Sequence, residues 1–426
     1  MIKGRFFFAI MIATALLLPV RAAAAAVLPA EPASELAAEA ACLLDVATGK
    51  TLYEKNADKA LAPASTTKIL TALLLLETAE LGEVVQVGKE IYRIGPDSSV
   101  AKLKTGDRLT VAELVYALIL PSGNDAAYTA AVFVGRRFSG FEHMDIDEAL
   151  KTFVGMMNRR AKELGAVNSN FVVPDGYDTP GHVSTARDLA IITMVAGKND
   201  FLRQVAASSE YHWQGIRWDN TNRLLQQDYP NAYYPWATGF KTGYTERAGH
   251  CLVATAEGGG RELVGVILKS TGGRRWVDMR WLLEYGFHCW QHYTMFVEGR
   301  QIFSVPVTNL WGQRQAVKIL AAGSWSDLLS QQQISSLELR FNWVPGIVDS
   351  RQEGVALKAP ICKGQVVGKA VITLENEILG EVDMIAAHGV ATYYWWLPAL
   401  CVFLLVLLAA VIFSRRKRPP AARQAN

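Results

Sequence analysis

The chain has 426 residues, half of them hydrophobic, which is enough for one large core and a second, smaller one. Its 43 Lys and Arg against 40 Asp and Glu leave a formal net charge of +3. The basic residues are dispersed among acidic ones, which argues against a nucleic-acid-binding surface and leaves no nucleic-acid partner to expect.

Met1-Ile2-Lys3-Gly4-Arg5, an apolar stretch over 6–20, Arg21 and an alanine run over 22–26 follow the charged, apolar, small-residue order of a secretory signal peptide, expected over residues 1–26. The alternative is an uncleaved N-terminal membrane helix. After an alanine- and glutamate-rich leader, the apolar and β-branched runs 41–46 and 51–54 flank Ala47-Thr48-Gly49-Lys50 and predict a β-hairpin turning at Gly49.

Pro63 and Ser65 stand where a helix begins, and helical leucine spacing follows over 66–77. A second helical pattern over 109–120 ends at Pro121-Ser122-Gly123-Asn124-Asp125 before an apolar, small-residue run over 126–134, so Ser122 is expected in a short connection between two helices. Helices are predicted over 146–164 and 185–196, strands over 239–245, 249–256 and 262–269, and a closing helix over 276–287. This order predicts an α+β fold, an antiparallel sheet flanked by helices with a helical subdomain.

Beyond about residue 301, alternating or apolar runs over 315–321, 337–343 and 369–387 predict a small all-β domain. Tyr393, Tyr394, Trp395 and Trp396 then form an aromatic belt before an apolar run over 397–413 and the cations Arg415, Arg416, Lys417 and Arg418. Belt, span and basic stop predict one transmembrane helix over 393–414 with a cytoplasmic tail over 415–426; the alternative is a buried core helix. The domains expected between the two ends are 33–292 and 298–388, both outside the cytoplasm. Cys42, Cys251, Cys289, Cys362 and Cys401 are odd in number, widely spaced and without a CxxC, and read as buried thiols.

Three short motifs occur in order: Ser65-Thr66-Thr67-Lys68, Ser122-Gly123-Asn124 and Lys241-Thr242-Gly243. A second SxxK, Ser99-Val100-Ala101-Lys102, and a second KTG, Lys104-Thr105-Gly106, lie in a stretch that reads as strand and turn. An SxxK pair cooperates when both residues share a helix, where positions three apart are about 5–6 Å apart at Cβ. Ser65 and Lys68 head a helical run and Ser99 and Lys102 do not. A serine at a helix start is also surrounded by unpaired backbone N–H groups suited to a developing oxyanion.

Lys68 accepts a proton only if burial and a nearby cation, such as Lys241, lower its pKa. Otherwise it is an ordinary lysine on an amphipathic helix. Ser122 suits a proton relay to a leaving amine, and Asn124, with donors and an acceptor, suits holding Lys68 and a substrate amide; without the other motifs the segment is a polar turn. The glycines of the 239–245 strand leave room for a peptide to add as a further strand, with Thr242 and Lys241 facing a terminal carboxylate.

With these motifs the chain resembles the serine-type D-alanyl-D-alanine carboxypeptidases, the low-molecular-mass penicillin-binding proteins of peptidase family S11, which share the SxxK, SxN and KTG set with β-lactamases. The resemblance extends through Leu43-Leu44-Asp45, Ser184-Thr185-Ala186-Arg187-Asp188, Asn220-Thr221-Asn222-Arg223-Leu224-Leu225, Tyr285-Gly286-Phe287 and Gly364-Gln365-Val366-Val367-Gly368, covering about residues 38 to 388. It implies a β-lactamase/penicillin-binding-protein-like fold, Ser65 as acylated nucleophile, Lys68 as general base, Ser122 as relay and Asn124 as positioning group. It further implies Lys241, Thr242, Gly243 and Tyr244 on the substrate side, oxyanion N–H groups from Ser65 and Tyr244, and Arg275 on the substrate carboxylate. Where many members have a histidine before glycine, this chain has Pro174-Asp175-Gly176-Tyr177.

The implied reaction is removal of the terminal D-alanine from peptidoglycan stem peptides ending in D-Ala-D-Ala, with β-lactams as covalent inhibitors and the cytoplasmic membrane as anchor. The alternatives are a DD-endopeptidase, a class A-like β-lactamase and a non-catalytic penicillin-sensing or scaffold module. The β-lactamase is disfavoured because the loop carries Asp175 and Asp178 and no glutamate. No cofactor is expected for acyl transfer from serine, and no spaced cluster of metal ligands is present in the sequence.

Overall fold

The computed structural model describes residues 36–308, 314–349, 355–392 and 396–416. The expected signal peptide, the belt residues 393–395 and the tail from 417 onward lie outside them. The chain divides into two compact units, residues 1–290 and 291–426.

The first unit runs β1 (Ala40–Asp45), β2 (Thr51–Lys55), a 3₁₀ turn (Ala64–Thr67), α1 (Lys68–Thr78), β3 (Val84–Gln86), β4 (Arg108–Thr110), α2 (Val111–Ile119), α3 (Asn124–Ser139), α4 (Ile146–Glu163), α5 (Ala186–Ala196) and α6 (Asp200–Ala207). It continues through β5 (Glu210–Trp213), β6 (Ile216–Asp219), β7 (Ala237–Thr245), β8 (Gly249–Gly258), β9 (Arg261–Ser270) and α7 (Arg274–Cys289). The expected hairpin is β1–β2, with Gly49 in the left-handed region at φ 69°.

Five strands form an antiparallel sheet in the order β2-β1-β9-β8-β7. Alternation along β1 and β9 divides the sheet's two faces. Ala40, Cys42, Leu44, Val264, Val266 and Leu268 join the core shared with α1 and α5. On the other face Gly265 lies against Met279 and Leu282 of α7, and Gly286 of α7 lies against Leu43 and Leu263. The sheet is therefore sandwiched between a helical body and α7, and β7 is left at one edge.

The helix starts are chemically explicit. Thr110 and Glu113 form a capping box at α2, and Thr185 accepts from Asp188 N at α5. Helix α6 and the ribbons β3–β4 and β5–β6 were not among the sequence-based expectations; all are short, which gives periodicity little to work on. The stretch that carries the second SxxK and the second KTG, read as strand and turn, has its turn at Thr105 and Gly106 but no strand over the SxxK. Lys102 sits at φ 66°, and the Ala101 and Leu103 amides donate to the Asp125 carboxylate instead of to a neighbouring strand.

The second unit holds a six-stranded sheet in the order Glu338–Trp343, Val366–Leu374, Glu377–Ala386, Arg314–Ala321, Gln301–Thr308, Leu357–Lys358, with its last pair parallel. Val305, Val307, Val317, Ile319, Ile372 and Met384 fill its core. A helix spans Trp396–Arg416; its Trp396–Phe413 portion is exposed and is long and apolar enough to cross a membrane. The expectation of buried thiols holds for Cys42 and Cys251 alone: Cys289 is half-buried, and Cys362 and Cys401 are exposed.

Candidate active site

Ser65 lies within the 3₁₀ turn, one step earlier than an α-helical start, and Lys68 is the first residue of α1. The turn is set by Ala64 at φ 50°, a left-handed conformation that costs a non-glycine residue about 1–3 kcal/mol. Surrounding contacts hold it. Thr67 Oγ1 donates to Ala64 O at 2.8 Å, and His182 Nε2 lies 3.0 Å from Thr67 Oγ1. Val172 N–H donates to His182 Nδ1 at 3.0 Å, so the proton resides on Nε2, which donates to Thr67. Burial drives the His182 pKa down to about 4, keeping the ring neutral.

Lys68 is completely buried, and its Nζ donates to three oxygens: Ser65 Oγ at 2.8 Å, Asn124 Oδ1 at 2.7 Å and the main-chain O of Asp175 at 2.8 Å. Burial lowers its pKa from 10.5 to about 8, against the opposing pull of Asp175 and Asp125. Lys241 of β7 is also buried and held well below the ordinary lysine range, by burial first and then by Lys68 and Arg275.

Ser122 sits between α2 and α3 at φ 63°, and its buried Oγ has no hydrogen-bond partner among the described residues. Asn124 begins α3; its Nδ2 donates to Ser98 Oγ at 2.8 Å. Asp125 fastens the 98–103 loop through Ala101 N and Leu103 N, so the second SxxK contributes a wall of the site while the first contributes its chemistry.

A cavity of about 630 Å³ opens over these groups, lined among others by Ser65, Ser122, Asn124, Thr242, Gly243, Tyr244 and Arg275. Thr242 Oγ1 lies 2.6 Å from Thr221 Oγ1. Arg275 Nη1 lies 2.7 Å from His250 Nδ1, and Tyr244 packs on the His250 ring at 4.5 Å. Thr242 lines the cavity, and Lys241 is buried with its Nζ donating to Thr242 O at 3.1 Å. Gly243 brings β7 against the nucleophile turn, where an added Cβ would lie 3.1 Å from Ser65 N. Among the described residues, no group of three His, Cys, Asp or Glu is placed to hold a metal ion.

Sequence reasoning did not single out Ser98, Thr221, His182 or the Asp175 carbonyl. Ser98 and His182 had no motif spacing to mark them, Thr221 lay in a segment of the resemblance without a role, and a main-chain oxygen has no residue type at all.

The family model described as D-alanyl-D-alanine carboxypeptidase matches residues 25–272, more than half of the chain. The chain is a member of peptidase family S11. A second model, the C-terminal domain of penicillin-binding protein 5, matches residues 290–392. Among S11 relatives, D-alanyl-D-alanine carboxypeptidase DacF of Bacillus subtilis is 32% identical over 83% of this chain and 86% of its own length. DacC of Escherichia coli is 32% identical over 83% and 84%. Penicillin-binding protein 5 of Haemophilus influenzae aligns in structure with a TM-score of 0.57 and 27% identity, covering 84% of this chain and 98% of its own. The DD-transpeptidase of Streptomyces K15 aligns with a TM-score of 0.54 and 35% identity over 59% and 97%.

Proposed function

We propose that this S11 peptidase is a serine-type D-Ala-D-Ala carboxypeptidase that removes the terminal D-alanine of peptidoglycan stem peptides through an acyl-Ser65 intermediate. The observation that carries the reading is Lys68 Nζ, completely buried and shared between Ser65 Oγ and Asn124 Oδ1 beneath an open cavity. With its pKa near 8, a useful fraction of Lys68 is neutral at mildly alkaline pH and takes the Ser65 proton as Oγ attacks the carbonyl of the penultimate D-alanine.

The developing oxyanion is met by the backbone N–H groups of Ser65 and Tyr244, which the close approach of Gly243 to Ser65 N brings together. The unpartnered Ser122 Oγ passes the proton from Lys68 to the departing amine. Asn124 positions Lys68 and the substrate amide. The terminal carboxylate is received by Thr242 and Arg275 at the cavity wall. Water then hydrolyses the ester, returning the proton through Lys68. A β-lactam acylates the same Oγ and blocks the site.

The catalytic domain is assigned to residues 33–292, the β-rich domain to 298–388 and the membrane anchor to 393–414. With residues 1–26 read as a signal peptide, the catalytic domain belongs on the extracytoplasmic side.

The test is labelling of the purified chain with a fluorescent penicillin, wild type beside Ser65→Ala, followed by assay of D-alanine release from a D-Ala-D-Ala-terminated peptide. Label and release that both vanish in the variant support the carboxypeptidase. Label without release points to an endopeptidase or a sensor, and no label in the wild type sinks the reading.

A further inference from the structure

The loop bearing Asp175 is clamped at four successive residues. Pro174 O accepts from Thr71 Oγ1 at 2.6 Å, and Asp175 O accepts from Lys68 Nζ at 2.8 Å. Gly176, at φ 85°, packs so tightly on Ala64 O that a Cβ there would sit 1.8 Å from it. Tyr177 N donates to Asp175 Oδ1 at 3.1 Å. Held this way, the Asp175 carboxyl is directed inward: the residue is 1% exposed, and Oδ2 has no hydrogen-bond partner among the described residues.

A buried carboxylate with a spare oxygen is costly unless a cation compensates it. We propose that the Asp175 carboxylate is the counter-charge that sets where on the pH scale Lys68 becomes a base, a positioning residue for acylation of Ser65; this rests on the serine-peptidase reading above.

The other charges around Lys68 are accounted for. Asp125 of α3 is committed to the backbone amides of Ala101, Leu103 and Ala126. Lys241 of β7 is itself held well below the ordinary lysine range by burial and then by Lys68 and Arg275, and His182 is neutral. Tyr128 of α3 is kept in its neutral phenol form by burial and by Asp175. Asp175 is therefore the anion whose charge is least spent on other partners. Its own acidity is weakened by burial and partly restored by Lys68. An ionised Asp175 holds the Lys68 proton; removing that charge releases it at lower pH.

The experiment uses the purified full chain in detergent and the variants Asp175→Asn and Asp175→Ser, which share loss of charge and differ in shape. The second-order rate of Ser65 labelling by fluorescent penicillin is followed against pH, with a thermal melt of each protein. The acid limb is expected to move down by about one pH unit in both variants, with the alkaline plateau little changed. A limb that stays in place in both, whether or not the plateau falls, overturns the proposal. Loss of cooperative melting in both assigns Asp175 to folding and overturns it as well. If the wild type takes no label, the Ser65 reading itself fails, a result distinct from a labelled wild type whose limb the variants do not move.

Discussion

Lys68 Nζ lies 2.8 Å from Ser65 Oγ because their three-residue spacing straddles the junction of a 3₁₀ turn and an α-helix. The tighter turn carries Ser65 into the cavity while Lys68, already helical, is enclosed by the core. Nucleophile and base are thus one turn apart yet occupy opposite environments, one reaching solvent and one wholly buried.

A base held near 8 makes acylation rise as pH rises through that value, since the neutral amine is the competent form. Lys68→Arg keeps a cation whose guanidinium does not deprotonate. It is expected to lower acylation by about 10²–10⁴-fold and to abolish the rise near 8. Stopped-flow penicillin labelling across pH checks both.

Gly243→Ala places a methyl 3.0 Å from Ala64 Cβ and 3.1 Å from Ser65 N. Strand β7 must then shift away from the nucleophile turn and carry the Tyr244 N–H with it. Acylation is expected to fall by about 10- to 100-fold while the chain still melts cooperatively, a contrast that labelling rates and calorimetry together read.

At Gly176 the same methyl meets a backbone oxygen at 1.8 Å in a left-handed conformation, so no rotamer change relieves it. Gly176→Ala is expected to destabilise the fold by about 2–4 kcal/mol, measured by denaturant unfolding.

Arg275→Ala removes a charged donor at the cavity wall. If it receives the substrate carboxylate, kcat/KM for a peptide with a free C-terminus is expected to drop by about 10- to 100-fold. Wild type and variant are expected to converge on the corresponding C-terminal amide. Equal losses on both peptides would remove Arg275 from carboxylate recognition.

Much of this was legible in the chain itself. Ser65 was preferred to Ser99 by asking which SxxK heads a helical run, and the structure places the first at α1 and the second in a loop tied to Asp125. Hairpin β1–β2 and strands β7, β8 and β9 follow from alternation and turn residues. The strand part of the strand-and-turn reading around the second SxxK failed because Asp125, more than twenty positions later, captures the amides that a ladder needs. The fate of a backbone donor depends on what folding brings to it.

The sequence by itself determined the helix that pairs Ser65 with Lys68, the turn that carries Ser122, the glycine-flanked strand of Lys241 and Thr242, and the apolar segment near the C-terminus. All of these depend on residues a few positions apart, where periodicity and side-chain chemistry act locally. Only the tertiary structure decided that Lys241 is buried while Thr242 lines the cavity, that a main-chain oxygen of Asp175 holds the base, and that His182 steadies the turn around Ser65. Those relationships join residues up to about 173 positions apart, such as Lys68 and Lys241, and rest on burial and orientation, which no local pattern encodes.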